Sequence, residues 1–288
     1  MLKVIPLDAA TVHPRGGHLW DGVSPIFGPA EMVCTCLAII HERGIALIDT
    51  GPGSAAVDDG GKSMGRLWTK VFRPDLTPDN SLVAQLRRRG IEPADVTDVL
   101  LTHGDPDHAG GLHDFPHAII HVHRDELTAI AHPSTIGERN RYRPSLFTHD
   151  PLWCVYGHDS ADVVDWFGFR AHPARGLPAV VLLVELAGHL RGMLGVAVDI
   201  GGHWLLHAAD AYFHASEIDP RRPRPPIAVR AFGFATKTLA SAYPEQQTRL
   251  RNLVRDHGNE VTVISSHCAA ELRRLQNGPG PAAQPGPR

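Results

Sequence analysis

The segment that most constrains this chain is residues 100–111, which reads LLTHGDPDHAGG. Four side chains of the kind that bind metals, His103, Asp105, Asp107 and His108, fall within six residues directly after an apolar run. A loop at the end of a strand can turn several side chains inward together, and the two glycines that follow let the backbone approach a neighbour closely. A packed core does not require this density of histidine and aspartate. The segment therefore predicts a metal site.

Composition narrows the class of protein. The chain has 288 residues, of which 43% are hydrophobic and 20% charged, so it can bury a sizeable core and is unlike a disordered chain. Its net charge of -3 supplies no field that would attract nucleic acid or an anionic membrane surface, and we expect neither as a partner. Histidine is the outlier, because 19 residues carry the side chain that most often binds metals in proteins.

Targeting signals and cysteines point to a soluble cytoplasmic protein. No stretch reaches the roughly 18 uninterrupted apolar residues of a spanning helix, and the first residues lack a secretory apolar core. The four cysteines are too few and too scattered for a disulfide scaffold. Cys34 and Cys36 lie two apart on a predicted strand and are expected to be small core residues. The oligomeric state is left open, with a homodimer among the options.

Apolar runs alternate with turn residues in a pattern typical of a layered α/β domain. Candidate strands cover residues 33–40, 45–49, 99–102, 118–123, 179–186, 195–200, 203–207 and 261–265. Candidate helices cover residues 80–89, 124–132 and 243–257. We expect one domain over residues 1–276 and a disordered tail rich in glycine and proline over residues 277–288. Residues 11–30, 137–177 and 217–226 are predicted to be irregular and to recognise the substrate.

Five motifs, in the expected order over most of residues 30–270, resemble those of the metallo-β-lactamase-fold hydrolases, and within that family lactonases are the nearest. The family's DTG, HxHxDHxGG, PGH, GDA and strand-end histidine motifs are matched here by DTG (residues 49–51), HGDPDHAGG (103–111), AGH (187–189), AADA (208–211) and SSH (265–267). Each motif alone is weak, and the order of all five makes the resemblance specific.

This resemblance implies a four-layer αββα sandwich with two divalent metal ions at the mouth between its sheets. The ligands that it implies are His103, Asp105 and His189 for the first metal, Asp107, His108 and His267 for the second, and Asp210 as the bridge between them. Asp49 is implied to hold the ligand loop in place, which fits the general need to orient metal ligands. Zinc is the first choice of metal.

The sequence departs from the family pattern at Asp105, where the signature has a histidine. The charges of Asp105, Asp107, Asp210 and a bridging hydroxide would together cancel those of two divalent ions. We therefore expect weaker Lewis acids, a bridging water of higher pKa, and a preference for neutral substrates over phosphates. The extra oxygen ligand also widens the choice of metal toward manganese, iron or cobalt.

Several other residues have two interpretations. Tyr212, two residues beyond Asp210, is a candidate catalytic residue whose phenol could donate to an oxyanion near the metals, with ordinary packing as the alternative. His121 and His123 share one face of a predicted strand and lie either behind the ligands or in a solvated or hydrogen-bonded pair. Histidines expected at the surface are His13, His18, His149, His158 and His172. Aromatic residues that either line an apolar pocket or pack loops onto the sandwich are Trp20, Trp153, Trp166, Phe167 and Phe213.

The expected function is hydrolysis of a small neutral carboxylic ester or lactone by a metal-bridging hydroxide, with Asp107 orienting the nucleophile and passing a proton to the leaving oxygen. The first alternative is a di-iron oxidoreductase related to the flavodiiron proteins, which also place a carboxylate at the second motif position. Phosphodiester or thioester hydrolysis on the same fold, and a metal-binding module with little turnover, are further alternatives.

Overall fold

A computed structural model describes residues 2–157 and 159–278 of the chain. Within that part, the strands are β1 (Lys3–Asp8), β2 (Thr35–His41), β3 (Gly44–Ile48), β4 (Val96–Leu100), β5 (Ile119–His123), β6 (Leu152–Tyr156), β7 (Val164–Trp166), β8 (Phe169–Pro173), β9 (Val181–Glu185), β10 (Leu194–Asp199), β11 (Trp204–His207) and β12 (Val261–Ile264). The α-helices are α1 (His18–Asp21), α2 (Gly53–Asp59), α3 (Arg66–Phe72), α4 (Leu82–Arg87), α5 (Pro106–Ala109), α6 (Arg124–Ala131), α7 (Ile136–Arg141), α8 (Ile227–Thr236), α9 (Ala242–His257) and α10 (Ala269–Asn277).

The strands form two six-stranded sheets, one from each half of the chain. The first sheet has the order β1-β2-β3-β4-β5-β6, and its strands are antiparallel up to β3 and parallel from β3 onward. The second has the order β12-β11-β10-β9-β8-β7 and is antiparallel except for the pair formed by β11 and β12. The parallel connections carry the helices that cover the sheets.

Alternation of side chains along the strands produces four layers. In β2, Leu37 and Ile39 pack between the sheets against residues of β9, β10 and β11, whereas Cys36 and Ala38 face outward into a second cluster that includes Leu82 and Leu86 of α4. On the far side, outward residues of the second sheet pack against α9 in the same way. Because apolar residues cover both faces of each sheet, the molecule is an αββα sandwich, as predicted.

The helices and strands of the structure agree in part with those predicted from the sequence. All eight predicted strands and all three predicted helices are present, each with its ends within three residues of the expected position. The prediction that residues 137–177 are irregular is wrong, because this segment contains α7, β6, β7 and β8. The only α-helix or strand within residues 11–30 is the short α1, and residues 217–226 contain no α-helix or strand. Helix α10 extends through Asn277, one residue into the predicted tail, and residues 279–288 of that tail lie outside the described part.

Within the described residues, no helix combines the length and the apolar character needed to cross a membrane.

Candidate metal centre

The segment of residues 103–111 leaves the end of β4 and turns into the short helix α5. Gly110 and Gly111 allow this turn to pack on the loop after β3, because a Cβ on Gly110 would lie only 2.4 Å from the carbonyl oxygen of Pro52. At Gly104 a Cβ would meet Ile130 at 2.8 Å. Only glycine fits such close approaches, so the glycines of the motif hold its histidines and aspartates at the mouth between the sheets.

Asp49 fixes the orientation of this loop from below. It has a positive φ of 56° and is fully buried. Its carboxylate accepts hydrogen bonds from the Thr102 backbone N–H, from the Thr102 hydroxyl and from His108 Nδ1, all at 2.8 Å. Burial by itself would raise the pKa of Asp49, but the His108 imidazole beside it holds that pKa below its ordinary value. The carboxylate is therefore ionised and fully used in holding its neighbours.

Hydrogen bonds hold the rings of His103, His108 and His267 so that each Nε2 points toward the candidate metal centre. The Thr102 hydroxyl gives its only hydrogen to Asp49, so its oxygen accepts from His103 Nδ1 at 2.9 Å. His108 Nδ1 donates to Asp49, and His267 Nδ1 donates to the carbonyl oxygen of Val33 at 2.7 Å. Each ring is thereby fixed with its proton on Nδ1, which leaves the lone pair of Nε2 free to bind a metal.

Asp210 lies between two pairs of imidazole rings, which are the three just described and the ring of His189. Its Oδ2 lies 3.8 Å from His103 Nε2 and 3.6 Å from His189 Nε2. Its Oδ1 lies 3.5 Å from His108 Nε2 and 3.2 Å from His267 Nε2. Burial would raise the pKa of Asp210, yet His267 and His108 hold it well below the ordinary range. One ionised carboxylate thus presents one oxygen to each pair, as a bridge between two cations would.

The donor atoms fit metal ions better than they fit one another. The Nε2 atoms of His103 and His108 are buried and have no hydrogen-bond partner. Burial raises the pKa of Asp107, and the negative charges of Asp105 and Asp210 raise it further, which shows acceptor groups crowded together. Such groups are stable in a buried position only when cations or donors compensate them. Two clusters of donors, which share Asp210, are close enough to hold ions: His103, Asp105, His189 and Asp210; and His108, Asp210 and His267.

The structure therefore brings together all seven residues for which a ligand role was predicted. Asp107 lies beside the second cluster, with its Oδ2 3.7 Å from His267 Nε2 and 3.9 Å from His108 Nε2. The grouping is the one that the family resemblance implies. That these residues bind metal stays a prediction.

Arg141 is a part of the site that sequence reasoning missed. Its Nε lies 3.1 Å from Asp105 Oδ1, while Asp105 Oδ2 faces His103 at 3.4 Å and His189 at 3.3 Å. Burial opposes ionisation of Asp105, but the charge of Arg141 and the two imidazoles hold its pKa well below the ordinary range. The expectation of a neutral centre omitted this guanidinium. With Arg141 counted, a centre that held two divalent ions and a bridging hydroxide would have the same net charge as one with histidine at position 105.

Tyr212 does not face the donor cluster. Its side chain is fully buried among apolar residues of the outer layer, and its hydroxyl donates to Glu271 Oε1 at 2.9 Å. The second oxygen of Glu271 accepts from the backbone of Ser265. Ordinary packing, the alternative interpretation, describes this arrangement, and we therefore leave Tyr212 out of the proposed machinery.

Three further histidines named from the sequence, His121, His123 and His172, have hydrogen-bond partners other than the candidate ligands. His121 is hydrogen-bonded to Tyr156 and Asp98, and His123 accepts from the backbone of Asp125, so both belong to hydrogen-bonded groups away from the donor cluster. His172, expected at the surface, is buried and bonded to Glu185 at 2.7 Å. His158 lies outside the described residues.

A cavity of about 900 Å³ opens onto the centre. Asp105, Asp107, His189, Asp210 and His267 form its floor. Its wall is mostly apolar and includes Val12, Trp20, Met32, Met64, Leu67, Trp68, Phe72 and Phe232. Polar side chains also reach it from residues 135–143 and 236–238.

Of the five aromatic residues named from the sequence, only Trp20 is among those that line this cavity. Trp166 and Phe167 pack in the outer layer of the second sheet, and Trp153 packs on the outer layer of the first. Phe213 stands behind the ligands, with its ring centroid 5.6 Å from His189 and 5.7 Å from His267. The segments at 11–30 and 137–177 do contribute to the cavity, whereas its main aromatic wall comes from α3 and α8, which were not predicted.

Residues 30–267 match the family model described as the metallo-beta-lactamase superfamily. The chain therefore belongs to this superfamily, and the fold and the donor cluster described above agree with that assignment. The protein is a hydrolase of this superfamily, and it has a candidate metal-binding cluster of histidine and aspartate residues.

Among relatives, the chain is 34% identical over 268 residues to a protein of Mycobacterium tuberculosis named "Probable metallo-hydrolase Rv2300c", covering 93% of this chain and 84% of that one. It is 34% identical over 97 residues to the N-acyl homoserine lactonase AiiA of Bacillus thuringiensis subsp. kurstaki, covering 34% and 39%. Among solved structures, an N-acyl homoserine lactone hydrolase with N-hexanoyl-L-homoserine bound at its catalytic metal center has a TM-score of 0.69 at 19% identity, covering 94% of this chain and 95% of that one. The dizinc quorum-quenching lactonase AidC has a TM-score of 0.60 at 17% identity, covering 92% and 87%.

Proposed function

We propose that the protein is a binuclear metal-dependent hydrolase of small carboxylic esters or lactones, in which water activated between two metals attacks the carbonyl. The observation that carries this proposal is Asp210, whose two oxygens face two separate pairs of imidazoles at the floor of a large cavity. Relatives and structural neighbours named as metallo-hydrolases and lactonases support the class of reaction.

The residues of the first cluster would hold one metal, those of the second cluster would hold the other, and Asp210 would join them. Divalent ions bound there supply Lewis acidity, which lowers the pKa of water and polarises a carbonyl. Zinc is the metal that we propose, and manganese, iron and cobalt also suit a set of imidazole and carboxylate donors.

Asp107 is the residue that we propose to orient the nucleophile and to move its proton. It lies on the cavity floor and is only 8% exposed. Its Oδ2 lies 3.7 Å from His267 Nε2 and 3.9 Å from His108 Nε2, beside the second metal position. A carboxylate at that place can accept a proton from the attacking water and pass it to the leaving oxygen.

The cavity favours a substrate with an apolar part. Trp68, Phe72 and Phe232 form one continuous aromatic wall, with ring centroids 5.0 Å apart for the first pair and 5.2 Å for the second. An acyl chain on that wall would leave the carbonyl at the floor, beside Asp105 and His189. Neutral esters and lactones with acyl chains are the substrates that we propose.

The experiment is metal analysis of the purified protein together with hydrolysis of acyl lactones and aryl esters. We expect about two metal ions per chain and turnover of lactones. In His103→Ala and Asp210→Ala, metal and activity should both be lost, because each change removes a donor from the cluster. His132→Ala, a histidine change on the exposed end of α6, is the matched control and should keep both.

Two results would contradict this proposal. Full metal content in both ligand variants would show that the donors are wrongly assigned. Two iron ions per chain without turnover of any ester would instead favour the di-iron oxidoreductase.

A further inference from the structure

Cys34 lies at the edge of the donor cluster, although the sequence predicted only a core role for it. It immediately precedes β2 and is 2% exposed. Its Sγ, an oxygen of Asp107 and a ring nitrogen of His267 all lie within 4.8 Å of one another. The sulfur is therefore close to the donors of the second metal.

The backbone fixes this position from both sides. The Cys34 N–H donates to Asp8 Oδ1 at 3.0 Å, and the carbonyl oxygen of the preceding Val33 accepts from His267 Nδ1 at 2.7 Å. The same short segment thus orients the His267 ring and presents the thiol beside it. Cys34 and Cys36 both belong to the apolar cluster of the outer layer, but of the two only Cys34 is also in a group of donors.

A second observation is that a donor atom at the second metal position has no hydrogen-bond partner. His108 Nε2 is buried without a hydrogen bond, and it lies 3.9 Å from Asp107 Oδ2 and 3.5 Å from Asp210 Oδ1. Asp107 connects this atom to the thiol, because its carboxylate also lies in one group of donors with Cys34 and His267. An ion there would be approached by nitrogen, oxygen and sulfur donors.

We propose that Cys34 is an additional ligand, through its thiolate, of the metal held by His108, His267 and Asp210. The proposal rests on the metal centre of the proposed function. In a tetrahedral zinc site, sulfur and nitrogen ligands lie about 3.5 Å apart. The 4.8 Å limit within which Cys34, Asp107 and His267 lie exceeds that value by about 1.3 Å at most, and binding would require a movement of that size.

A sulfur ligand makes the two metal positions chemically different. The first has Asp105 and Asp210 as hard oxygen donors beside two imidazoles. The second would add a soft sulfur, which favours zinc and cobalt and disfavours manganese. We therefore expect manganese to enter the first position and to be excluded from the second.

Cobalt(II) tests this assignment because a thiolate ligand gives it a sulfur-to-cobalt charge-transfer band in the near ultraviolet. The probe is the full chain titrated with cobalt(II) alone. We expect the band in the parent protein and in Cys36→Ala, the matched cysteine control. In Cys34→Ser we expect the band to be lost while the visible bands of bound cobalt remain.

A protein that binds two cobalt ions without the charge-transfer band would overturn the ligand role of Cys34 and leave the metal centre standing. Persistence of the band in Cys34→Ser would overturn it as well. A protein that binds no cobalt would overturn the metal centre and this ligand together. If Cys34→Ser does not fold, X-ray absorption of the zinc-loaded parent protein decides the question, since a sulfur scatterer at about 2.3 Å is expected and its absence contradicts the proposal.

Discussion

At the scale of single residues, Asp105 divides its two oxygens between different partners. Oδ1 pairs with Arg141, and Oδ2 faces His103 and His189. A carboxylate paired with a guanidinium has no net charge, so together they replace a neutral imidazole at this position. The pair keeps an oxygen donor at the centre without making the centre more negative.

This arrangement predicts that Asp105→His is harmful alone and tolerated with Arg141→Leu. In the single variant, a largely buried guanidinium would lie beside the metals without its carboxylate partner, and breaking a fully buried ion pair costs about 3–5 kcal/mol, which is the upper limit here. Metal affinity and the free energy of unfolding should both fall. In the double variant, which also lacks the guanidinium, most of the metal affinity and most of the free energy of unfolding should be restored.

Chelator competition and urea denaturation on the two single variants and the double variant form a cycle that measures the coupling. Arg139→Leu, an exposed arginine of the same helix, is the control. Simply additive effects would mean that the two side chains do not act as a unit.

The sequence predicted the ligands and missed Arg141 and Cys34 for a physical reason. The ligands repeat a motif in which histidines and aspartates lie close together in the chain. Arg141 is 36 residues from Asp105, and a charged residue in a segment rich in arginine is equally compatible with the surface. A lone cysteine on an apolar strand likewise has no feature that distinguishes a ligand from a core residue.

At the scale of elements, α3 and α8 form the aromatic wall of the cavity. Phe72 at the end of α3 contacts Phe232 of α8, and Trp20 meets both rings at centroid distances of 5.8 Å. Trp68 lies one turn earlier on α3. The wall is therefore a joint product of three segments that are distant in sequence.

The wall predicts how acyl-chain length affects hydrolysis. Trp68→Ala should lower kcat/KM for lactones with long acyl chains by at least about tenfold, because loss of a large apolar contact costs about 1.5–3 kcal/mol. Short-chain lactones have less apolar surface to place on the wall and should lose less. Steady-state kinetics on a chain-length series measures this difference, with the exposed Phe27→Ala as control. An equal loss for all chain lengths would contradict an acyl-binding wall.

Strands were predicted where valine, isoleucine and leucine dominate short runs, and several strands and helices outside such runs were missed. Strands β3, β9 and β12 are short runs of valine, isoleucine and leucine, and their assignment follows from that composition. Strands β6 and β7 are short and lie in a segment with many glycine, proline and arginine residues, so the β propensity of Trp153, Tyr156 and Trp166 was masked. Helix α3 is short and follows a glycine-rich turn, which hid its start.

At the scale of the whole molecule, the centre joins two sheets that come from different halves of the chain. His103 and His108 follow β4 of the first sheet, whereas Asp210 and His267 follow β11 and β12 of the second. Ions bound between them would connect the two sheets directly. The layered class followed from the alternation of strands and helices, but the pairing of two sheets face to face followed only from the family resemblance.

Removal of metal should therefore lower the thermal stability of the entire domain. A ligand that binds only the folded state at 100 times its Kd stabilises it by about 2.7 kcal/mol, which corresponds to a fall in Tm of roughly 5–10 °C on removal from a domain of this size. Calorimetry with and without a chelator measures the shift. In His103→Ala the shift should be much smaller, and an identical Tm with and without chelator would argue against metals between the sheets.

The position of β12 has a consequence for synthesis of the protein. This strand is inserted beside β11 in parallel and is followed directly by His267, the last of the candidate donors along the chain. A growing polypeptide emerges from its N-terminal end, so the first four donors are exposed long before the last one. While the ribosome completes the second sheet, the nascent chain holds only part of a donor set, and the second position is completed only after β12 has been synthesised.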